Sequence, residues 1–205
     1  MSAVLEQTDR PDSSVMPPWP VRRFTVAEYR TLVETGAFEE DDRIELLQGW
    51  IVPKVVHNPP HDWTVTQVSD VIRPLLSDDW LMRVQCAINT GDSEPEPDNA
   101  IARGPNDRYL HRHPRGEDIG LLIEVANSSL ARDRDKAEIY AMEGVPVYWI
   151  VNLVDRQIEV RSDPDPVRGE YRAHEDFPSG AQVAVSLGDI EFSIDVDEIL
   201  PPADP

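Results

Sequence analysis

EPDNAIA (residues 96–102), GLLIEVANSS (120–129) and DRDKAEIYAMEGVPVYW (133–149) lie within one stretch, Glu96 to Tyr148 and its immediate neighbours, and decide how this 205-residue chain folds. From Gly120 to Ala126 the residues are apolar on both alternating faces, the pattern of a central strand covered on both sides. Glu124 stands in the middle of that run. A buried carboxylate is costly unless it is paired, hydrogen-bonded or bound to a metal, so this acid requires a partner. One reading is a structural ion pair with an arginine or lysine. The other begins with Asp98, which follows Glu94-Pro95-Glu96-Pro97 and opens a short strand-like run, Asn99 to Ala102. Its prolines favour an extended approach. Two carboxylates on neighbouring strands make an oxygen-rich pocket of the kind Mg²⁺ or Mn²⁺ prefers.

Lys136 falls on a helix with clear limits. Ser128 and Ser129 are candidate N-caps, Leu130, Ala137, Ile139, Tyr140 and Met142 supply apolar positions, and Gly144 with Pro146 stops it. Lys136 and Tyr140 are one turn apart and share a face. Turned toward the sheet, the lysine polarises a phosphate or positions a water; turned outward, it is ordinary solvated charge. Aspartate, glutamate and lysine on strand, strand and helix are the parts of a metal-dependent phosphodiesterase site.

Outward from this stretch the pattern is that of an α/β domain, a mixed central sheet flanked by helices with added β-hairpins. Thr25 to Thr35 reads as a helix capped by Thr25 and stopped at Gly36. Arg43–Leu47 and Trp50–Val56 form a hairpin around Gln48-Gly49. Glu45 alternates onto one face of its first strand, where it either reaches the site or lines the wet face. Asp62 to Leu76 has helical spacing that Pro74 should end near Arg73. Leu81 to Asn89 alternates as a strand, with Gln85 on its polar side. Val147–Leu153 and Gln157–Arg161 are further strands. From Ser162 the chain reads as turn-rich, then as a hairpin of Ala181–Ser186 and Ile190–Ile194 closed by Val196–Leu200. Such added edge strands, with the aromatics around Tyr148 and Trp149, fit a homodimer.

The runs RIELLQGWIV (43–52), EPDNAIA, LLIEVANSS and KAEIYAMEGVPVYWIVN (136–152), with His61 at a helix start, resemble the Uma-two family of restriction-endonuclease-like proteins, within the PD-(D/E)XK nuclease superfamily. The resemblance spans roughly Phe24 to Leu200. It implies a restriction-endonuclease-like fold in which Asp98 and Glu124 bind the metal, Lys136 supplies the active-site lysine and Glu45 adds an acid. A strict E-x-K places lysine at position 126, which is Ala126 in this chain. The resemblance implies that the lysine has moved to the following helix as Lys136.

Length suits one core, so residues 23–200 are expected as a single domain between a disordered leader (1–22) and a short tail (201–205). The leader lacks the basic-then-apolar order of a signal segment, no apolar run reaches membrane-spanning length, and the single Cys86 excludes an internal disulfide framework. A reducing cytoplasm is the expected location. A net charge of -20 argues against nucleic-acid binding, because phosphate contacts by Lys and Arg supply most nonspecific affinity. Against that total, Arg103, Arg108, Arg112 and Arg115 face only Asp107 within residues 103–115, a local charge of +3. The loop joins the two candidate metal-binding strands, so it either contacts a DNA strand or is a solvated loop whose arginines pair with nearby acids.

Other site types lack their residues. The glycine-rich phosphate loops and the G-x-S-x-G elbow are missing. One cysteine rules against structural zinc, and Pro59-Pro60 between His57 and His61 argues against a histidine pair on one helix face. Three functions remain: a Mg²⁺- or Mn²⁺-dependent DNA endonuclease, a catalytically degenerate relative that binds nucleic acid or protein, and an acid/base hydrolase of the glycosidase kind, in which Lys136 has no role.

Overall fold

The structure, a computed structural model, describes residues 19–39, 42–188 and 190–202. Residues 1–18 of the expected leader lie outside them. In chain order the elements are α1 (Val26–Glu34), β1 (Ile44–Leu47), β2 (Trp50–Pro53), α2 (Pro59–Ile72), β3 (Trp80–Val84), β4 (Asn99–Arg103), β5 (Ile119–Ala126), α3 (Leu130–Met142), β6 (Val147–Asn152), β7 (Gln157–Asp165), β8 (Glu170–Pro178), β9 (Gln182–Leu187), β10 (Ile190–Asp195) and α4 (Val196–Ile199).

Strands β3 to β8 form one six-stranded sheet in sequence order. Every neighbouring pair is antiparallel except β5 and β6, which are parallel and joined through α3. A parallel pair needs a crossover long enough to return the chain, and α3 is that crossover. β1–β2 and β9–β10 are separate hairpins, and Gln48 and Gly49 at the first turn both have positive φ, 47° and 76°, as a tight hairpin turn requires.

Alternation along β5 sorts the core into two layers. Leu121, Ile123 and Val125 pack with Val65, Val68 and Ile72 of α2 and with the β9–β10 hairpin and α4. Leu122 and Ala126 pack on the other side with Ala137, Ile139 and Tyr140 of α3. Burying each large aliphatic side chain contributes about 1.5–3 kcal/mol, which lets this strand carry one acid. That acid, Glu124, shares the α3 side, so period-two geometry alone aims it at the helix that carries Lys136.

Several expectations need correction. β3 ends at Val84 rather than running to Asn89, because Gln85 takes φ 49° and turns the chain. The stretch after Ser162 is strand rather than turn: β7 continues to Asp165 and pairs with β8. β8 is mostly exposed on both faces and charged, as a protected sheet edge is, so it shows no apolar alternation to read. Tyr148 and Trp149 are buried in the two core layers, which removes the aromatic argument for a homodimer. Pro59 and Pro60 begin α2 instead of breaking it. They occupy its first turn, where a missing N–H costs nothing, while the Asn58 side chain accepts from His61 N at 3.1 Å. No helix among the described residues is long and apolar enough to cross a membrane.

Candidate active site

Five elements aim charged side chains at one narrow cleft, open to solvent at its mouth. Its lining includes Glu45 from β1, His61 from α2, Asp98 at the entry to β4, Glu124 from β5, and Asp133 and Lys136 from α3. All six are buried. Asp133, Lys136 and Tyr140 fall at i, i+3 and i+7 of α3, one stripe of the helix. Asp133 also receives Ser129 Oγ at 2.5 Å.

Glu124 sits at the centre. Its Oε1 accepts from Lys136 Nζ at 3.0 Å and from the Tyr140 hydroxyl at 2.8 Å. Its Oε2 accepts from the Asp98 backbone N–H at 3.3 Å. The Asp98 carboxylate is tied by Val125 N at 2.9 Å and lies 3.2 Å from His61 Nε2. Glu45 reaches Lys136 Nζ at 3.5 Å and receives the Glu96 backbone N–H at 3.4 Å. The wet-face reading of Glu45 and the outward reading of Lys136 therefore fail, since both are buried and point inward.

Four carboxylates face one ammonium, and burial raises two of them, Glu124 and Asp133. Desolvation pushes Glu124 up to about 8; Lys136 opposes the rise, while Asp98, Asp133 and Glu45 add to it. Asp133 is raised to about 6, again chiefly by burial. Burial works against the charge on Lys136 too, but Glu124, Glu45 and Asp133 outweigh it and hold the lysine cationic. Asp98 goes the other way: His61 and the Val125 N–H overcome its desolvation and keep it ionised. Burial favours the proton on Glu124 and the acids favour the charge on Lys136; where Glu124 is neutral, Glu45 at 3.5 Å remains as the lysine's ion-pair partner.

Sequence reasoning missed Asp133 and the two histidines. Asp133 was visible as the partner of Lys136 at helical spacing. His57 and His61 were set aside because of Pro59-Pro60, yet their rings stack with centroids 4.1 Å apart, and with Asp98 they bring ligand atoms within 4.8 Å of one another. His57 precedes the Asn58 N-cap, so the two do not share a helix face, as expected; the turn into α2 brings them together instead.

The arginine loop is largely occupied. Asp118 accepts from Arg112 at 2.6 Å and from Arg108 at 3.1 Å, and it also accepts the Arg115 backbone N–H at 3.0 Å. Arg103 lies over the Trp80 ring at 4.8 Å. It ends β4 while Asp98 precedes the strand, so five residues at about 3.3 Å each separate them by ~16 Å.

The mixed sheet thus carries a cluster of acids and one lysine at its parallel-strand crossover. The Uma2 family, described as "Putative restriction endonuclease", matches residues 26–197, and the chain belongs to it. Its fold is similar to that in "Crystal structure of a putative nuclease belonging to DUF820 from Anabaena variabilis ATCC 29413", with a TM-score of 0.64 and 16% identity over 86% of this chain and 97% of that one. No curated protein matches the sequence.

Proposed function

We propose that the chain is a divalent-metal-dependent endonuclease that hydrolyses phosphodiester bonds of DNA in the cytoplasm, with Mg²⁺ or Mn²⁺ held by Asp98 and Glu124 and the site completed by Lys136 and Glu45. The observation that supports it most is the convergence of Glu45, Asp98, Glu124 and Asp133 on one lysine at the floor of an open cleft. This donor set fits the ion: carboxylate oxygens suit hard divalent cations, and four buried acids against one ammonium leave negative charge that a cation offsets. When bound, the metal would polarise the phosphate and make water a competent nucleophile near neutral pH.

The chain's own groups have separable tasks. Val125 N–H and His61 hold the Asp98 carboxylate ionised and fixed. Glu124, aligned by the Tyr140 hydroxyl, would hold the ion in its deprotonated form. Lys136, kept cationic by its acids, donates to a phosphate oxygen or to the attacking water. Glu45 anchors that ammonium. Arg103, Arg108, Arg112 and Arg115 contact the DNA backbone at a distance from the scissile phosphate, Arg108 and Arg112 exchanging Asp118 for phosphate. Supercoiled plasmid incubated with Mn²⁺ or Mg²⁺ should be nicked, and Asp98→Ala and Glu124→Ala should each abolish nicking while leaving the fold intact. Nicking that persists in both variants sinks the assignment.

A second reading is a degenerate nuclease that binds metal without cutting. The full engagement of Lys136 by Glu124 and Glu45 favours it. Divalent-metal binding that Glu124→Ala removes, in a protein that does not nick DNA, would support this reading over the first.

A further inference from the structure

Beside the carboxylates lies a donor set of different chemistry. His61 Nε2 is 3.2 Å from Asp98 Oδ2. An ion bonded to both at ~2.1 Å would hold them ~3.0 Å apart in octahedral and ~3.4 Å apart in tetrahedral geometry, so this pair already has the spacing of two ligands. His57 stacks on His61 and brings a third ligand atom within 4.8 Å of both. Asp62 Oδ1 lies 3.4 Å from Nδ1 of each ring. Asp62 stands behind Nδ1 of His61, the position of the usual outer partner of a histidine ligand, which leaves His61 Nε2 toward Asp98 as the ligating atom.

We propose that His57, His61 and Asp98, oriented by Asp62, form a second metal site that takes a first-row transition ion such as Mn²⁺, Co²⁺ or Zn²⁺ in preference to Mg²⁺. Imidazole nitrogen suits those ions and not magnesium, which demands oxygen. The site rests on the reading above only through Asp98, which borders both donor sets. Among the described residues Arg43 is the cation in contact with His57, its guanidinium 3.5 Å from both ring nitrogens, and it is exposed. Gln85 Nε2, 3.4 Å from His57 Nδ1, is also on the open side. The other histidine and carboxylate group, Glu159, His174 and Asp176, is a poor rival because Arg134 already grips Glu159 with two hydrogen bonds.

The test uses the metal-free full chain titrated with Mn²⁺ alone. Electron spin-echo spectroscopy should show nitrogen coupling to the bound ion in the wild type and in Glu124→Gln, which disables the carboxylate pair but not this site. The coupling should vanish in His57→Ala/His61→Ala, and Mn²⁺ affinity by equilibrium dialysis should fall at least tenfold. Asp62 is largely exposed, so Asp62→Asn tests the site without threatening the fold, and it should weaken binding about tenfold. Manganese bound without nitrogen coupling, or with unchanged affinity in the double variant, overturns the proposal. Nitrogen coupling in a protein that never nicks DNA upholds this site and counts only against the nuclease reading. Nicking that needs Glu124 in a protein without nitrogen coupling does the reverse.

Discussion

Replacing Glu124 by glutamine should stabilise the metal-free protein, and the gain should depend on pH. Glutamine keeps the carbonyl oxygen that accepts from Lys136 Nζ and the Tyr140 hydroxyl and gives up the longer 3.3 Å hydrogen bond from the Asp98 backbone N–H, a loss that is the same at every pH. It removes a carboxyl whose folded-state pKa is raised to about 8 from an ordinary 4.5. A group raised in this way favours folding fully below about pH 4.5, and its contribution is lost as pH climbs toward 8, because the unfolded chain sheds the proton more readily. At pH 7 the chain has climbed about two and a half pH units above the unfolded value, and at about 1.36 kcal/mol per unit that is roughly 3 kcal/mol. The ceiling, reached at and above pH 8, is about 5 kcal/mol. Urea melts of wild type and Glu124→Gln with chelator at pH 5, 7 and 8 should therefore show a difference near zero to 1 kcal/mol at pH 5 that widens to several at pH 8. A variant less stable than wild type by the same amount at every pH refutes the reasoning: Glu124 would then be an ionised partner of Lys136 whose loss leaves a buried ammonium short of charge.

The same proton makes metal binding pH-dependent: near pH 7 each ion bound at Glu124 should release close to one proton, read by calorimetry in buffers of different ionisation enthalpy, and affinity should rise with pH until it levels above about 8. Saturating Mn²⁺ at a hundred times its dissociation constant should stabilise the wild type by about 2.7 kcal/mol, some 5–10 °C in a thermal scan for a domain of this size, and an unshifted melt denies a native-state ion. Arg134→Ala strips two hydrogen bonds from the buried Glu159, leaving Asn152 and Arg161 to hold it, and should cost about 2–4 kcal/mol in a denaturant melt. Gly120→Ala places a methyl 2.6 Å from Leu187 Cδ2 and 2.7 Å from the Trp80 ring, so overpacking should cost about 1–3 kcal/mol. Hydrogen exchange at β9 should rise with it, since Leu187 belongs to that strand.

How legible the fold was depended on how strongly each element is buried. β5 and β6 carry continuous apolar residues, and their limits follow from the sequence within a residue; the periodic α2 is read correctly at its end but starts at Pro59, three residues before the expected Asp62. α1 announces itself through a capping box, Thr25 with Glu28. β8 was invisible for the converse reason. An edge strand with one paired side buries little beyond Tyr171 and Phe177, and Glu170, Arg172, Glu175 and Asp176 spell solubility, not strand.

For the site, burial again decided what was readable. Glu124 was legible because a charge inside an apolar strand has no ordinary explanation. Lys136 was legible as helical but not as inward, since its stripe on α3 is Asp133, Lys136 and Tyr140, which reads as polar until the acids opposite are known. Those acids arrive from β1, β4 and β5, far away in sequence, and only tertiary packing brings them to the lysine. The proline rule keeps His57 off the helix correctly, since α2 starts at Pro59, but it says nothing of the turn that stacks His57 on His61. Asn58 just before Pro59 was the signal, because an N-cap asparagine followed by proline marks a helix beginning, and the two imidazoles on either side of that start are then bound to meet whatever α2 packs against. What it packs against is the strand entry that presents Asp98.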